Sequence, residues 1–249
     1  MPPEELPESH GVDWHKSHFD LVEDYDGEIP LHVMDYLNDR KTNKTVAAIK
    51  QELGLQTALE GLDVGCGTGN HALTIQSLLP NAQIHGLDTS KRQLDRAREK
   101  GFPNRLLHAP MWETNLENDS LDFVVAVNSI HHLPTRNHQE QTMVEFMRIL
   151  RPGGIVIIHE INVTNPVMAA YVRYVFPRTR NIDDGSELFL KKPPLSSADW
   201  RLVSEDQFTF VPDFTPRWLM GVAKRMDLRL SNSRLRTLGA HIMWVLRKP

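Results

Sequence analysis

A run of alternating glycines between a strand pattern and a helix pattern is the feature that most constrains how this chain can fold. The run is Gly65–Gly69, it follows the short strand pattern Gly61–Val64, and residues 71–79 after it have helical spacing up to Pro80. Glycine lets the main chain approach a ligand closely and adopt angles that other residues avoid. The N-terminus of the following helix directs unpaired amide N–H groups at the same place. The sequence therefore predicts a nucleotide-sized cradle at the end of a strand.

An acidic residue follows at the distance that such a cradle requires. Residues 83–87 form the next strand pattern, and Asp88 ends it, 19 residues after Gly69. A carboxylate at that strand tip can accept hydrogen bonds from both hydroxyls of a ribose. A dinucleotide-binding oxidoreductase uses similar parts, but its G-x-G-x-x-G pattern would require glycine where this chain has Asn70. The oxidoreductase stays as an alternative.

Strand and helix patterns continue to alternate along the chain. This alternation predicts a mostly parallel sheet with helices on both faces. Further strands are expected at 105–108, 121–127 and 155–159, and helices at 91–100 and 139–150, with a turn at Pro152–Gly154.

The two flanks of this region have a different character. Residues 1–30 have the composition of an extended arm, and 31–53 predict two short helices separated by the polar stretch 38–44. After residue 161 the alternation stops, and the aromatic, proline-bearing segment 163–205 predicts a lid insertion. A strand at 207–211, a helix at 216–226 and a closing strand at 240–246 follow.

Four segments, in order, resemble class I S-adenosylmethionine-dependent methyltransferases of the small-molecule type. They are LDVGCGTGN at 62–70, HGLDTS at 85–90, NDSLDFVVAVNSIHHLP at 118–134 and RILRPGGIVIIHE at 148–160. The resemblance implies a Rossmann-like methyltransferase sheet of seven strands with an antiparallel last strand. It divides the chain into a helical cover at 1–56 and a catalytic domain at 57–249 that carries the lid insertion after the fifth strand.

The resemblance also implies a cofactor site for S-adenosylmethionine, with S-adenosylhomocysteine as product. The methionine part of the cofactor would contact Asp63, Gly65, Gly67 and Asn128, and its ribose would be held by Asp88. Thr89, Met111 and Trp112 would lie beside the adenine. The family often has an acidic residue followed by alanine after the third strand. This chain has Pro110 and Met111 there, which puts a side-chain hydrogen bond to the adenine in doubt.

Candidate residues for the transfer itself lie after the fourth and fifth strands, at the edge where open α/β sheets bind ligands. A hydroxyl acceptor needs a base, and histidine is the usual one near neutral pH. His131, His132 and His159 are therefore the candidate bases, with a packing role as the alternative for each. In the lid, Tyr171, Tyr174 and Arg178 are candidate acceptor contacts, with packing of the lid as the alternative.

Composition limits the partners of the chain. Its net charge of −4 gives no reason to expect a nucleic-acid partner, and the apolar runs are far shorter than the roughly 18 residues that span a bilayer. The first residues do not have the pattern of a secretory signal, and the single cysteine, Cys66, fits a reducing compartment. We expect a cytoplasmic monomer or homodimer, with no metal and no stable membrane insertion.

The sequence therefore predicts a methyltransferase that acts on a small molecule. Oxygen is the acceptor atom that we expect first, with nitrogen and carbon as alternatives. A methyltransferase acting on RNA or protein is a second hypothesis, but the residues after the fourth strand, Asn128–His131, do not form its N-P-P-[YF] motif. A non-catalytic protein that binds the cofactor for a partner is a third.

Overall fold

The computed structural model describes residues 30–54, 58–179, 187–195 and 200–249. The expected arm at 1–29 lies outside these ranges, as do parts of the expected lid at 180–186 and 196–199. Within the described residues, seven strands form one sheet in the order β3-β2-β1-β4-β5-β7-β6. The strands are β1 Leu59–Val64, β2 Ala82–Asp88, β3 Leu106–His108, β4 Leu121–Val127, β5 Leu150–Ile161, β6 Arg201–Phe208 and β7 His241–Arg247.

The pairing confirms the predicted fold class. Strands β1 to β5 pair in parallel, and β7 runs antiparallel between β5 and β6. The helices are α1 Leu31–Leu53, α2 Asn70–Leu78, α3 Lys91–Glu99, α4 Arg136–Ile149, α5 Pro166–Tyr174, α6 Phe176–Thr179 and α7 Met220–Ser231, with short 3₁₀ turns at Ile130–His132, Arg217–Leu219 and Arg234–Leu238. In the described part of the chain, no helix is long and apolar enough to cross a membrane.

Alternating residues of the central strands fill two separate cores. On β5, Val156 and Ile158 pack with Met143 and Phe146 of α4. Ile155 and Ile157 pack on the other face, with side chains of α1 and α2. This period of two is what a strand covered on both faces requires. It also sends Glu160 and His159, the next pair on β5, to opposite sides of the sheet.

The prediction of two short helices at 31–53 is wrong, because α1 is continuous through the polar stretch. Two polar residues of that stretch are buried, since Lys41 is 5% exposed and Thr42 is 1% exposed, whereas Asp39 and Asn43 are exposed. The stretch therefore lies within one helix whose buried face is partly polar.

Two strand boundaries also differ from the prediction. β5 begins at Leu150, because the expected turn at Pro152–Gly154 is taken into the strand, with a register irregularity against β4. Strand β6 spans Arg201–Phe208 and so includes the last residues of the predicted lid at 163–205. Those residues pair with β7 and belong to the sheet.

Candidate functional site

A cavity of about 770 Å³ opens at the edge of the sheet where the parallel strands end. One part, which we call the cofactor half, is lined by residues that follow β1, β2, β3 and β4, including Asp63, Gly65, Gly67, Asp88, Thr89, Met111, Trp112 and Asn128. The other part, the acceptor half, is lined from α1, α5, the segment after β6 and the start of β7. Its residues include Met34, Leu37, Lys41, Val167, Tyr171, Thr209, Phe210, Val211, Phe214 and His241.

The glycine turn has the left-handed main chain that the sequence predicts. Gly65 has φ +67° and Gly67 has φ +52°. A Cβ on Gly65 would lie 2.6 Å from the Cβ of Ser129, whereas a Cβ on Gly67 would meet no heavy atom within 4 Å. The N–H groups of Gly65 and Cys66 donate to the carbonyl of Leu87, at 2.7 and 3.0 Å. These bonds fix the turn to β2 and leave open space over Gly67.

Asp63 is a buried carboxyl in the cofactor half with one oxygen unsatisfied. Its side chain is 2% exposed, and its Oδ2 has no hydrogen-bond partner among the described residues. The nearest histidine nitrogen, Nδ1 of His71, is 4.0 Å away. Burial, with the negative charge of Asp88 nearby, raises the pKa of Asp63 to about 8. A cationic group of a ligand would restore the charged carboxylate.

Asp88 joins the glycine turn to the start of α3. Its Oδ2 accepts from the N–H of Gly67 at 2.8 Å, and its Oδ1 accepts from the N–H of Ser90 at 2.8 Å. The side chain is half-buried and lines the cavity. The carboxylate is therefore held at the tip of β2 by main-chain donors, which is the placement that the sequence predicts.

The remaining predicted cofactor residues also line this half. Met111 is buried, Trp112 is partly exposed and lies 4.5 Å from the ring of His138, and Thr89 lies beside Asp88. Asn128 follows β4 with φ +49°, and its Oδ1 is buried without a partner among the described residues. All eight predicted cofactor residues are thus brought to one wall, with two buried oxygens on it unsatisfied.

His131 and His132 reach the cavity, and a neighbour holds the first of them in place. Nδ1 of His131 bonds to Oε2 of Glu160, whose Oε1 accepts from the N–H groups of Ile130 and His131 at 3.1 and 3.3 Å. Phe189 stacks on the His131 ring, with centroids 4.8 Å apart. Glu160 therefore orients His131 and caps the 3₁₀ turn, a role that the sequence analysis missed.

His159 does not line the cavity, so the structure contradicts its prediction as a base. It is fully buried on the opposite face of β5, where its Nε2 lies 2.8 Å from Oγ1 of Thr45 on α1. Burial, together with nearby positive charge, lowers its pKa well below the usual range. The physical reason is the strand alternation: Glu160 faces the ligand edge beside His131, and His159 faces α1.

The three predicted lid residues separate. Tyr171 lines the acceptor half, and its hydroxyl donates to the carboxylate of Asp213 at 3.0 Å. Tyr174 and Arg178, both described, are exposed and do not line the cavity. Arg178 instead donates to the carbonyl of Tyr174, so the prediction of acceptor contacts at these two residues is wrong. Both lie where α5 ends and α6 begins, on the outer side of the lid.

Sequence reasoning also missed Lys41, Thr209 and His241. Lys41 lines the acceptor half from α1, and burial lowers its pKa to about 8, an effect that nearby Glu160 partly offsets. Thr209 directly follows β6, and His241 begins β7. Met34, Leu37 and Lys41 are spaced at intervals of three and four, which indicates one face of a helix. This signal was missed because the sequence analysis predicted a break between two helices at 38–44.

Comparison with known proteins gives the same assignment for the central domain. Residues 62–158 match the family described as methyltransferase domain. The chain is 33% identical over 151 residues to the ubiquinone/menaquinone biosynthesis C-methyltransferase UbiE of Syntrophotalea carbinolica, covering 57% of this chain and 62% of that protein. It is 27% identical over 138 residues to a demethylmenaquinone methyltransferase of Staphylococcus aureus, covering 52% and 56%. This chain thus spans about 60% of the length of the curated relatives that it matches.

Solved structures confirm the fold. A possible histamine N-methyltransferase of Thermotoga maritima superposes with TM-score 0.59 at 16% identity, covering 94% of this chain and 100% of that one. The [4+2]-cyclase SpnF superposes with TM-score 0.55 at 18% identity, covering 83% and 80%. A cyclase and a methyltransferase in the same fold show that the fold alone does not give the reaction.

The cofactor half fits S-adenosylmethionine, the cofactor of this family. Asp63 offers a buried, unsatisfied carboxyl to a cationic ligand group, and Asn128 offers a second unsatisfied oxygen. The open space over Gly67 lets a ligand approach the main chain, and Asp88 stands at the strand tip for a ribose. The predicted resemblance and the predicted cofactor are confirmed.

Proposed function

Because residues 62–158 match the methyltransferase-domain family, we propose that this chain uses S-adenosylmethionine to methylate a small molecule. The acceptor is an apolar aromatic ring that carries hydroxyl groups, as a quinol does, and the methyl group goes to a ring carbon. The single observation that carries this choice is the apolar lining of the acceptor half.

The acceptor half suits a ring with a hydrophobic substituent. Met34, Leu37, Phe210 and Val211 line it, and of these Leu37 and Val211 are almost fully buried. Burying apolar surface contributes roughly 25 cal/mol per Å² to binding. A polar metabolite such as a sugar would bury many of its hydroxyl groups against these apolar side chains, which opposes binding.

The mouth of the acceptor half is also apolar. Val167 and Phe214 both line the cavity, yet they are 73% and 72% exposed. Large apolar side chains at the entrance provide a surface for a substituent that extends out of the cavity. An acceptor with a long apolar tail is therefore accommodated without enclosing the whole molecule.

The names of the relatives support carbon as the acceptor atom. One is named as a C-methyltransferase of ubiquinone and menaquinone biosynthesis and another as a demethylmenaquinone methyltransferase. They match about half of this chain, so their substrates support the proposal only as a class. On this basis we propose carbon in place of the oxygen that the sequence analysis expected first.

The bound cofactor would supply a methyl group that its positively charged sulfur already activates. The work left to the chain is binding, alignment and exclusion of water. Asp63, Asp88 and Asn128 would hold the cofactor, and the apolar side chains of α1 would position the ring. Orientation of this kind accounts for up to about 7–11 kcal/mol in the best intramolecular reactions. His131, held by Glu160, contributes a polar group of fixed orientation between the halves.

The test is a transfer assay with S-adenosylmethionine that carries a CD3 methyl group and with chemically reduced 1,4-naphthoquinone as acceptor. Mass spectrometry measures the label in the product, and NMR assigns the methylated atom. We expect a C–CD3 product from the wild type and from Asp95→Ala, a change of an exposed carboxylate on α3, and none from Asp88→Ala. A product methylated on oxygen would overturn the choice of carbon. Cofactor binding without transfer to naphthoquinol, catechol or amine acceptors would favour the non-catalytic binding protein.

A further inference from the structure

Three polar side chains, those of Lys41, Thr209 and His241, line the acceptor half, and Lys41 lies close enough to His241 to affect its pKa. Lys41 lines it from α1 and is only 5% exposed. In the described part of the chain, its ammonium makes no hydrogen bond and no ion pair, and Glu160 acts on it only as a nearby charge. A buried lysine without a close anion is costly, because desolvation disfavours its charged form.

Thr209 and His241 line the same half of the cavity from the side of β6 and β7. Thr209 follows Phe208, which pairs with His241 at the start of β7, and the carbonyl of Thr209 accepts from the N–H of Ala240 at 2.7 Å. Oγ1 of Thr209 and Nδ1 of His241 are both buried without a partner among the described residues, and both residues line the cavity. Buried polar atoms in native proteins almost always have partners, so two orphans on one wall point to a ligand.

The backbone at Thr209 adds an independent indication. Its φ is +72°, a left-handed conformation that is a genuine outlier for a β-branched residue. Such strain costs of order 1–3 kcal/mol and collects at functional sites. Here it places a fully buried hydroxyl on the cavity wall.

Lys41 is the positively charged group on this wall of the cavity. Burial and the positive charge of Lys41 lower the pKa of His71 to about 3 and hold the pKa of His241 well below its usual range, so both rings are neutral. Lys44, one turn further along α1, forms an ion pair with Asp206. A ligand anion would therefore meet one ammonium and two neutral hydrogen-bonding groups.

We propose that Lys41, Thr209 and His241 form a subsite that binds an oxyanion on the aromatic acceptor. The inference rests on the proposed function and names the acceptor more closely: an apolar ring whose hydroxyl is ionised, or which carries a carboxylate. Lys41 pairs with the charge, and the Thr209 hydroxyl and the Nδ1–H tautomer of His241 donate to the same oxygen. A ring hydroxyl that has lost its proton to solvent leaves a phenolate, whose ring carbon is far more nucleophilic. When that carbon takes the methyl group, the bond between the methyl group and the sulfonium breaks, and the ring carbon then loses its own proton to water, which restores the aromatic ring. The subsite therefore acts as a positioning and activating element for transfer to carbon.

The position in the sheet separates this subsite from the cofactor. The glycine turn follows β1, and Asp88 ends β2, whereas His241 begins β7. The order β2-β1-β4-β5-β7 puts β7 three strands from β1, which is about 14 Å at the usual strand spacing. His241 is therefore on the acceptor side of the sheet.

The test uses isothermal titration calorimetry with 2-naphthoate and its neutral amide, 2-naphthamide, on protein saturated with S-adenosylhomocysteine. The wild type should bind the carboxylate roughly tenfold or more tightly than the amide, as expected for a charge-assisted pair. Lys41→Met, which keeps the length of the side chain, should abolish this preference. Lys50→Met changes an exposed lysine at the end of the same helix and should keep it. Circular dichroism checks the fold of each variant, and Lys41→Gln replaces Lys41→Met if the latter does not fold.

Two measurements keep this proposal distinct from the proposed function. The affinity for S-adenosylhomocysteine should be the same in the wild type and both lysine variants. If Lys41→Met lowers that affinity and keeps the preference for naphthoate, Lys41 pairs with the cofactor and the subsite is wrong. If the wild type does not bind S-adenosylhomocysteine, the proposed function fails. In that case the preference for naphthoate over naphthamide is measured without S-adenosylhomocysteine, and its presence or absence still supports or overturns the subsite.

Discussion

The two halves of the cavity are built from different kinds of structure. The cofactor half consists of strand ends and a tight turn, and its key contacts, such as Gly67 N–H to Asp88, involve the main chain. The acceptor half consists of side chains from α1, α5 and the segments flanking β6 and β7, which are far apart in the sequence. Main-chain sites tolerate few substitutions, whereas side-chain walls can change with the substrate. Conserved chemistry and variable specificity can therefore coexist in one cavity.

The largest expected effect comes from a single methyl group in the cofactor half. Gly65→Ala places a Cβ 2.6 Å from the Cβ of Ser129 in a left-handed backbone, and should lower the affinity for S-adenosylhomocysteine by about 100-fold or more. Gly221→Ala is the matched control, because a Cβ there meets no heavy atom within 4 Å. Calorimetry measures both. Unchanged affinity in Gly65→Ala would break the view that the main chain forms this half.

Removal of the carboxylate at the tip of β2 should have the next largest effect. Asp88→Ala deletes the acceptor for Gly67 N–H and Ser90 N–H and the group proposed to hold the ribose. We expect roughly a 30- to 100-fold loss of cofactor affinity, the equivalent of about two lost charge-assisted hydrogen bonds less partial compensation by water. Asp95→Ala, which removes an exposed carboxylate paired with Lys91, should change the affinity little. Equal losses in the two variants would contradict the assignment of Asp88.

Three histidines that are wholly or mostly buried should make the free energy of unfolding depend on pH. His71, His159 and His241 are buried and neutral, with pKa values lowered chiefly by burial. In the unfolded chain each takes up a proton near pH 6.5, so the unfolded state binds more protons below that pH. The stability that these histidines contribute is therefore complete above pH 6.5 and falls as the pH decreases, by about 1.4 kcal/mol per pH unit for each histidine. Asp63, whose pKa is raised to about 8, acts in the opposite direction.

A substitution of His159 isolates the contribution of one of these histidines to the pH dependence. His159→Gln should reduce the loss of unfolding free energy between pH 7.5 and pH 5.5 by about 1.4 kcal/mol. Urea denaturation at the two pH values measures this loss. The wild-type loss should persist in Asp88→Ala, since that change lies in the other half. An unaltered loss in His159→Gln would mean that its ring is already protonated in the folded protein.

The smallest effect should come from the lid contact of the acceptor half. Tyr171→Phe removes the hydrogen bond from the Tyr171 hydroxyl to Asp213, and should raise the KM for the acceptor about fivefold, the equivalent of about 1 kcal/mol. The cofactor KM should not change. Tyr174→Phe, at an exposed tyrosine of the same helix, is the control and should leave both values unchanged. A change in the cofactor KM in Tyr171→Phe would show that the two halves are not independent.

The same contrast explains what the sequence could predict. The cofactor half depends on glycines, an acidic residue and strand ends that are close in the sequence, so all eight predicted cofactor residues line the cavity. The fold class followed from the alternation of strands and helices. His131 and His132 were placed correctly at the cavity because they directly follow β4.

The acceptor half required information that local patterns do not hold. Lys41 is polar on a helix that the pattern divided in two, and its burial depends on the packing of α1 over β5. Thr209 and His241 meet because β6 and β7 pair, a contact between distant segments. His159 was misplaced because a short apolar strand does not show which of two neighbouring residues faces the ligand edge.

The most direct test of the central claim is calorimetric titration of the folded wild-type protein with S-adenosylmethionine and S-adenosylhomocysteine, with NADH as the control ligand. Micromolar binding of both sulfur ligands and no binding of NADH is the predicted result, and it would establish the cofactor half as a working site. Binding of NADH in their place, or binding of none of the three by protein whose fold is verified, would contradict the methyltransferase assignment of this chain.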